Sequence, residues 1–229
     1  MRAENGEQQK GYAMTDKLVF YTNPMSRGRI VRWMLEEVGQ PYETVLIDWA
    51  SGAKSPDYLA INPMGKVPTI VHGEAVVTEC GAICAYLADA FPQANLAPAP
   101  SSKLRGPYYR WLFFAAGPIE QAAGAKTMGW EAPPERKAML GYGCMEDVIN
   151  ALDGALQGRE FLVGDSFTAA DLYVGAHLGW GMSFGTLEKR PVFEAYVARL
   201  QPRPAAVRAN QIDDGIIAAQ QQAQPQPAE

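Results

Sequence analysis

The chain has 229 residues, 48% hydrophobic and 20% charged, with a formal net charge of −5. This composition is that of an ordinary globular protein, long enough for one large domain or two small ones. The acidic balance, with no basic cluster, excludes a nucleic-acid footprint.

Residues 1–15 are polar, lack the apolar core of a signal peptide and read as a flexible tail, with Met14 as an alternative start. No run approaches the ~18 apolar residues of a membrane-crossing helix. Three cysteines without a CxxC spacing argue against a disulfide framework and fit the reducing cytoplasm. His72 and His177 stand far apart without partners at ligand spacing, so no metal site is expected.

Lys17 to Thr22, KLVFYT, is a compact apolar run suited to a buried strand. Asn23-Pro24-Met25 breaks it. Ser26 is a good N-cap for a helix with Ile30, Val31, Met34, Leu35 and Val38 at helical spacing. Gly39 ends that helix, and Pro41 prevents its return. Tyr42 to Ile47 reads as a second strand, and Pro56 to Leu59 as a short helical turn.

Asn62-Pro63-Met64-Gly65 is a turn. Val67–Val71 and Ala75–Thr78 then form a hairpin across His72-Gly73-Glu74. Glu79-Cys80-Gly81 opens a helix carrying Ile83, Tyr86, Leu87 and Ala90. The order β-α-β, short helix, β-β-α is the thioredoxin-like arrangement, a four-stranded mixed sheet with helices on both faces, over residues 16–92.

Residues 93–102 are proline-rich and read as a linker. No convincing strand follows, so residues 103–215 form an all-α helical-bundle domain. Leu104 to Thr127 is long and aromatic, with Pro118 expected to interrupt it. Pro133-Pro134 starts a helix expected to reach about Leu156. Thr168 and Asp171 make a near capping box for a helix towards Met182, stapled by Phe167. Pro191 to Leu200 and Arg203 to about Asp213 complete the bundle. Residues 216–229, rich in Gln and Pro, read as a disordered tail.

Pro68 is unusual at the head of a strand, because proline removes a ladder donor. Either it occupies an edge position in the trans form, or the Val67–Pro68 bond is cis and turns the Val67 main chain outward for an extended, peptide-like ligand. The Glu79–Cys80 junction adds a helix N-terminus, which suits a carboxylate, and an anion, which suits an ammonium. Together they fit an α-amino acid head. The plainer alternative is that Thr78 or Glu79 merely caps the helix.

Gly-Lys-Val-Pro, a hairpin, then Thr-Glu-Cys-Gly-Ala-Ile-Cys-Ala-Tyr-Leu resembles the glutathione-binding half of the cytosolic glutathione S-transferase superfamily, in its bacterial, serine-like form. The likeness spans about residues 17 to 213. Where the family usually has Ser, this chain has Cys80, a poorer side-chain donor. The resemblance implies glutathione as co-substrate and no metal. It implies Val67 pairing with the cysteinyl backbone, Pro68 shaping that contact, Glu79 and Cys80 holding the γ-glutamyl head, and Lys66 meeting a ligand carboxylate unless it is a solvated surface lysine.

The resemblance also directs attention to the loop after the first strand, where the family carries Tyr, Ser or Cys. A transferase of this kind stabilises a thiolate with donors and a helix N-terminus. Ser26 is the first candidate, lying within one residue of the family's serine position, and a plain N-cap is its alternative role. Asn23 follows, then Tyr21 and Thr22. Cys80 and Cys84, four apart, form either a redox pair or small buried side chains. The electrophile pocket is expected between the domains. Tyr109, Phe113 and Trp180 are its chosen lining, from a set that also holds Trp111, Phe114, Trp130 and Met182.

The implied function is conjugation of glutathione to small hydrophobic electrophiles by a homodimer without nucleic-acid or membrane partners. Glutathione-dependent peroxide or disulfide reduction is one alternative. A non-catalytic binding or regulatory role is another.

Overall fold

The computed structural model describes residues 16–130 and 132–223. Residues 1–15, the expected N-terminal tail, lie outside the described residues. Four strands, β1 (Leu18–Thr22), β2 (Glu43–Leu46), β3 (Thr69–His72) and β4 (Ala75–Thr78), form one sheet in the order β2-β1-β3-β4. β1 runs parallel to β2 and antiparallel to β3, and β4 returns antiparallel to β3. This is the thioredoxin-like sheet expected from the element order.

Alternation along β1 decides what each face does. Leu18, Phe20 and Thr22 are buried on one side. There they meet the core shared with α1 (Gly28–Val38) and α3 (Cys80–Ala90). Tyr21 points to the other side and packs with Ile47, Ala53 and Tyr58 beneath α2 (Pro56–Ile61). α1 ends at Gly39, whose φ of 69° is the left-handed cap that glycine takes without strain.

The second half is helical. α4 (Arg105–Phe114) continues through a wide turn at Ala115–Ile119 into α5 (Glu120–Met128). Pro118 sits inside that turn, where the missing N–H is absorbed without a full break. The helix expected from Pro133-Pro134 to Leu156 is divided. A tight 3₁₀ stretch covers Pro134–Met139, and α6 (Met145–Leu156) starts afresh. Gly143 at φ 66° turns the chain between them, and Cys144 caps the new helix with Asp147.

α7 (Ala169–Phe184) opens on the expected capping box. Asp171 Oδ2 accepts from the Thr168 N–H and Oγ1, both at 2.8 Å, while Oδ1 accepts from Leu162 N–H and Tyr196 Oη at 2.7 Å. α8 (Pro191–Leu200) and α9 (Pro204–Ala223) follow. α9 runs to Ala223, past the expected tail start at residue 216. Gly215 alone does not stop it, because Ile216 to Gln222 are helix-compatible and the next proline is Pro225.

One contiguous core runs from Phe20 and Ile30 through Leu87 and Trp111 to Leu172 and Phe193. Four ion pairs add polar ties between α1 and the C-terminal helices: Arg29–Asp214, Arg32–Asp213, Arg203–Glu37 and Arg208–Glu36. Arg32 and Asp213 are each 1% exposed. The Arg32 guanidinium also donates to Tyr42 Oη and Thr44 Oγ1 and lies over the Phe20 ring.

Candidate functional site

The loop after β1 is held by its own polar side chains. Asn23 is buried, donating from Nδ2 to the Ile47 carbonyl at 3.0 Å and accepting the Met25 N–H at Oδ1. Both ends of its amide are engaged in shaping the loop. Ser26 Oγ donates to the Asn23 carbonyl at 2.6 Å and accepts from the Gly28 N–H at 2.9 Å. The helix therefore begins one residue later than the sequence suggests, with Arg27 at its N-cap, and Ser26 caps it from outside. A Cβ on Gly28 would overlap Thr22 Oγ1, so glycine is what lets the loop close against β1. Tyr21 faces the α2 side and is not part of this loop's polar edge.

The hairpin supplies the second wall. The Val67–Pro68 bond is cis. Asn62 Nδ2 and Tyr58 Oη both donate to the Lys66 carbonyl, at 2.8 and 2.6 Å, which fixes the segment entering Pro68. The Lys66 side chain is exposed, and the Val67 N–H and C=O make no main-chain hydrogen bond among the described residues.

α3 supplies the third. Glu79 is its N-cap residue, exposed, with φ 67° and ψ 123°, and its side chain makes no capping bond. A non-glycine residue in that region is strained, and such strain is held where the surrounding structure over-determines it. Glu79 therefore does not cap α3, and its carboxylate makes no hydrogen bond or ion pair with the described residues. Cys80 Sγ lies 3.7 Å from the Arg27 carbonyl and draws that N-terminus against the β1–α1 loop. Burial, then the neighbouring Cys84 and Glu120, push the Cys80 thiol well above its usual range, so it stays protonated. Burial pushes Cys84 up to about 12. Both behave as small buried side chains rather than a reactive pair.

The first of these walls, the loop after β1, lines a cleft of about 760 Å³ between the sheet domain and the helices. Pro24, Met25 and Ser26 form its floor, with Trp180, Phe184 and Ile217 among the apolar walls. Trp180 lines this cleft, and Tyr109 and Phe113 do not. They lie one turn apart on the outer face of α4, 40% and 73% exposed, while Tyr108, Trp111 and Leu112 take the inner face. Helical rotation separates adjacent aromatics onto opposite faces, which the run of apolar letters conceals.

Glu120, Arg27 and His177 were not singled out by the sequence as a group. Arg27 Nε and Nη2 donate to the two Glu120 carboxylate oxygens at 3.0 and 2.8 Å, and His177 Nε2 lies 3.6 Å from Glu120 Oε1. Burial pushes the Glu120 carboxyl up, but the Arg27 hydrogen bonds and the nearby positive field outweigh it, leaving it below its ordinary value. Burial pushes His177 down to about 4. Arg27 and Glu120 are 93 positions apart, a separation no local pattern reports.

The matching sequence families are the glutathione S-transferase N-terminal domain over residues 17–89 and the glutathione S-transferase C-terminal domain over residues 133–204. The chain belongs to the glutathione S-transferase family.

Among its relatives is glutathione S-transferase GST-4.5 of Xanthomonas campestris pv. campestris, 28% identical across 75% of this chain and 84% of its own. Glutathione S-transferase F10 of Arabidopsis thaliana is 30% identical across 63% of this chain and 70% of its own. A sphingomonad glutathione S-transferase solved in complex with glutathione superposes with a TM-score of 0.70 at 30% identity, covering 86% of this chain and 98% of that one.

Proposed function

We propose that this glutathione S-transferase conjugates the glutathione thiolate to small hydrophobic electrophiles in the cleft between its domains. One observation carries the reading. The Cys80 thiol ties the α3 start to the Arg27 carbonyl of the Ser26 loop, and that loop lines a largely apolar cleft.

In this reading Glu79 receives the ammonium of the γ-glutamyl head, and the Cys80 N–H at the α3 N-terminus receives its carboxylate. Val67 pairs with the cysteinyl backbone in the manner of a one-residue strand. Lys66, with its side chain in solvent, meets a carboxylate of the ligand. Ser26 donates to the thiolate, and Asn23 shapes the loop that presents Ser26. The thiolate then forms a carbon–sulfur bond to the electrophile held against Trp180, displacing a leaving group such as chloride or adding across an activated alkene whose carbanion takes a proton from water.

We further infer a homodimer that works in the cytoplasm. The exposed Tyr109 and Phe113 of α4, with exposed Val76 of β4, offer apolar surface for a second copy. Among the described residues no helix is long and apolar enough to cross a membrane.

Retention on glutathione resin, followed by turnover of a chloronitrobenzene with glutathione, tests the proposal. Retention without turnover of any electrophile would leave a binding protein and reject the transfer step. Light scattering at micromolar concentration tests the dimer, which a monomer mass would reject.

A further inference from the structure

His177 is a polar side chain where an apolar pocket would have no use for one. It lies on α7, 7% exposed, and its ring lines the cleft beside Ile119, Trp180 and Leu187. Nε2 is buried and has no hydrogen-bond partner among the described residues; Glu120 Oε1 lies 3.6 Å away, beyond hydrogen-bond reach. A buried polar atom left without a partner costs free energy and calls for a reason.

The chemistry of the surroundings fixes the ring's polarity. Glu120 is ionised and doubly bonded to Arg27, so it accepts hydrogen bonds only. A bare imidazole lone pair facing that carboxylate would be repelled, so the ring proton belongs on Nε2. A neutral imidazole has one donor and one acceptor. Nδ1 is then the acceptor. It is not among the buried orphan atoms, and it makes no hydrogen bond with any described residue.

We propose that His177 is the specificity-determining anchor of the electrophile pocket, accepting through Nδ1 a hydrogen bond from electrophiles that join a hydrophobic body to an O–H or N–H donor. Glu120 acts as its positioning residue, holding the tautomer and tying it through Arg27 to the loop that carries Ser26. The preferred substrates are therefore activated aryl halides and conjugated alkenes that also carry a hydroxyl or amine, selected over isosteric analogues in which the donor is a methyl group. A site built around a hydrogen bond rejects the analogue that leaves its polar atom unpaired.

The assignment rests on the cleft being the electrophile site, and it is tested without the transfer reaction. Naphthol and methylnaphthalene have nearly the same shape and differ in the donor, and neither carries an electrophilic centre. Calorimetric titration of the full chain with each should give naphthol about five- to tenfold tighter, the size of one neutral hydrogen bond in a dry pocket. His177→Leu should reduce that ratio to about one or below, and His177→Asn, which keeps an acceptor, should restore part of it. Equal affinity of the two probes in the wild type overturns the proposal without any variant. So does a preference that survives His177→Leu in a protein with wild-type circular dichroism, or failure of both probes to bind. Resin retention and turnover decide the transferase reading separately, so the two ideas fail on different measurements.

Discussion

Removing the Ser26 hydroxyl tests the thiol activation directly, because that hydroxyl already has two local partners. Oγ donates to the Asn23 carbonyl at 2.6 Å and accepts from the Gly28 N–H at 2.9 Å. To donate to a bound thiolate, Ser26 must release the Asn23 carbonyl. A hydrogen bond to a charged acceptor contributes about 2 kcal/mol and the neutral one it replaces about 1 kcal/mol, so the exchange gains about 1 kcal/mol. That difference corresponds to about 0.7 of a pKa unit on the thiol.

Ser26→Ala should therefore raise the pKa of enzyme-bound glutathione by about 0.7 unit, read from ultraviolet thiolate absorbance against pH. Affinity for glutathione at low pH, where the thiol is protonated in both proteins, should change little. The lost cap should also cost about 1 kcal/mol of stability in denaturant unfolding. A stability loss with an unchanged thiol pKa would show that Ser26 is a cap alone. The donor would then be sought among the loop's main-chain N–H groups.

Glu79→Ala should weaken glutathione binding roughly thirtyfold, the effect of losing about 2 kcal/mol from a charge pair that water can reach. Unchanged affinity in calorimetry would remove Glu79 from the ligand contact. His177 supplies a pH dependence of stability. Burial lowers its pKa from 6.5 to about 4, so the folded state binds this proton less readily than the unfolded chain. The associated stability is complete above pH 6.5 and is lost as pH falls towards 4, by about 3 kcal/mol in total. Urea midpoints measured across that range should fall in the wild type and flatten in His177→Leu; a parallel pair of curves would refute the assignment. Asp213→Ala leaves the Arg32 guanidinium buried without its anion and should cost about 3–5 kcal/mol in denaturant unfolding. A loss below about 1 kcal/mol would mean that water reaches Arg32 in solution.

The local features of this protein were legible in its sequence because each is set by a few neighbouring residues. Apolar runs bounded by Pro24, Gly39 and Gly73 marked the strands and α1, and Thr168 with Asp171 marked the start of α7. Gly65-Lys66-Val67-Pro68 marked the segment leading into β3 and Glu79-Cys80 the start of α3, since a strand-leading proline and a helix start have only a few conformations available. Even the errors have local causes. Gly143 and the Cys144 cap divided a helix that Pro134 appeared to start, and α9 ran on through Gly215.

Distances across the chain belong to tertiary structure alone. Which face of α4 holds Tyr109 and which holds Tyr108 depends on what packs against it, and a nearly continuous run of large side chains carries no periodicity to say so. The meeting of Arg27, Glu120 and His177 depends on α1, α5 and α7 crossing at the cleft. Polar groups 93 and 57 positions apart have no pattern in common until the core of both domains closes and brings them together.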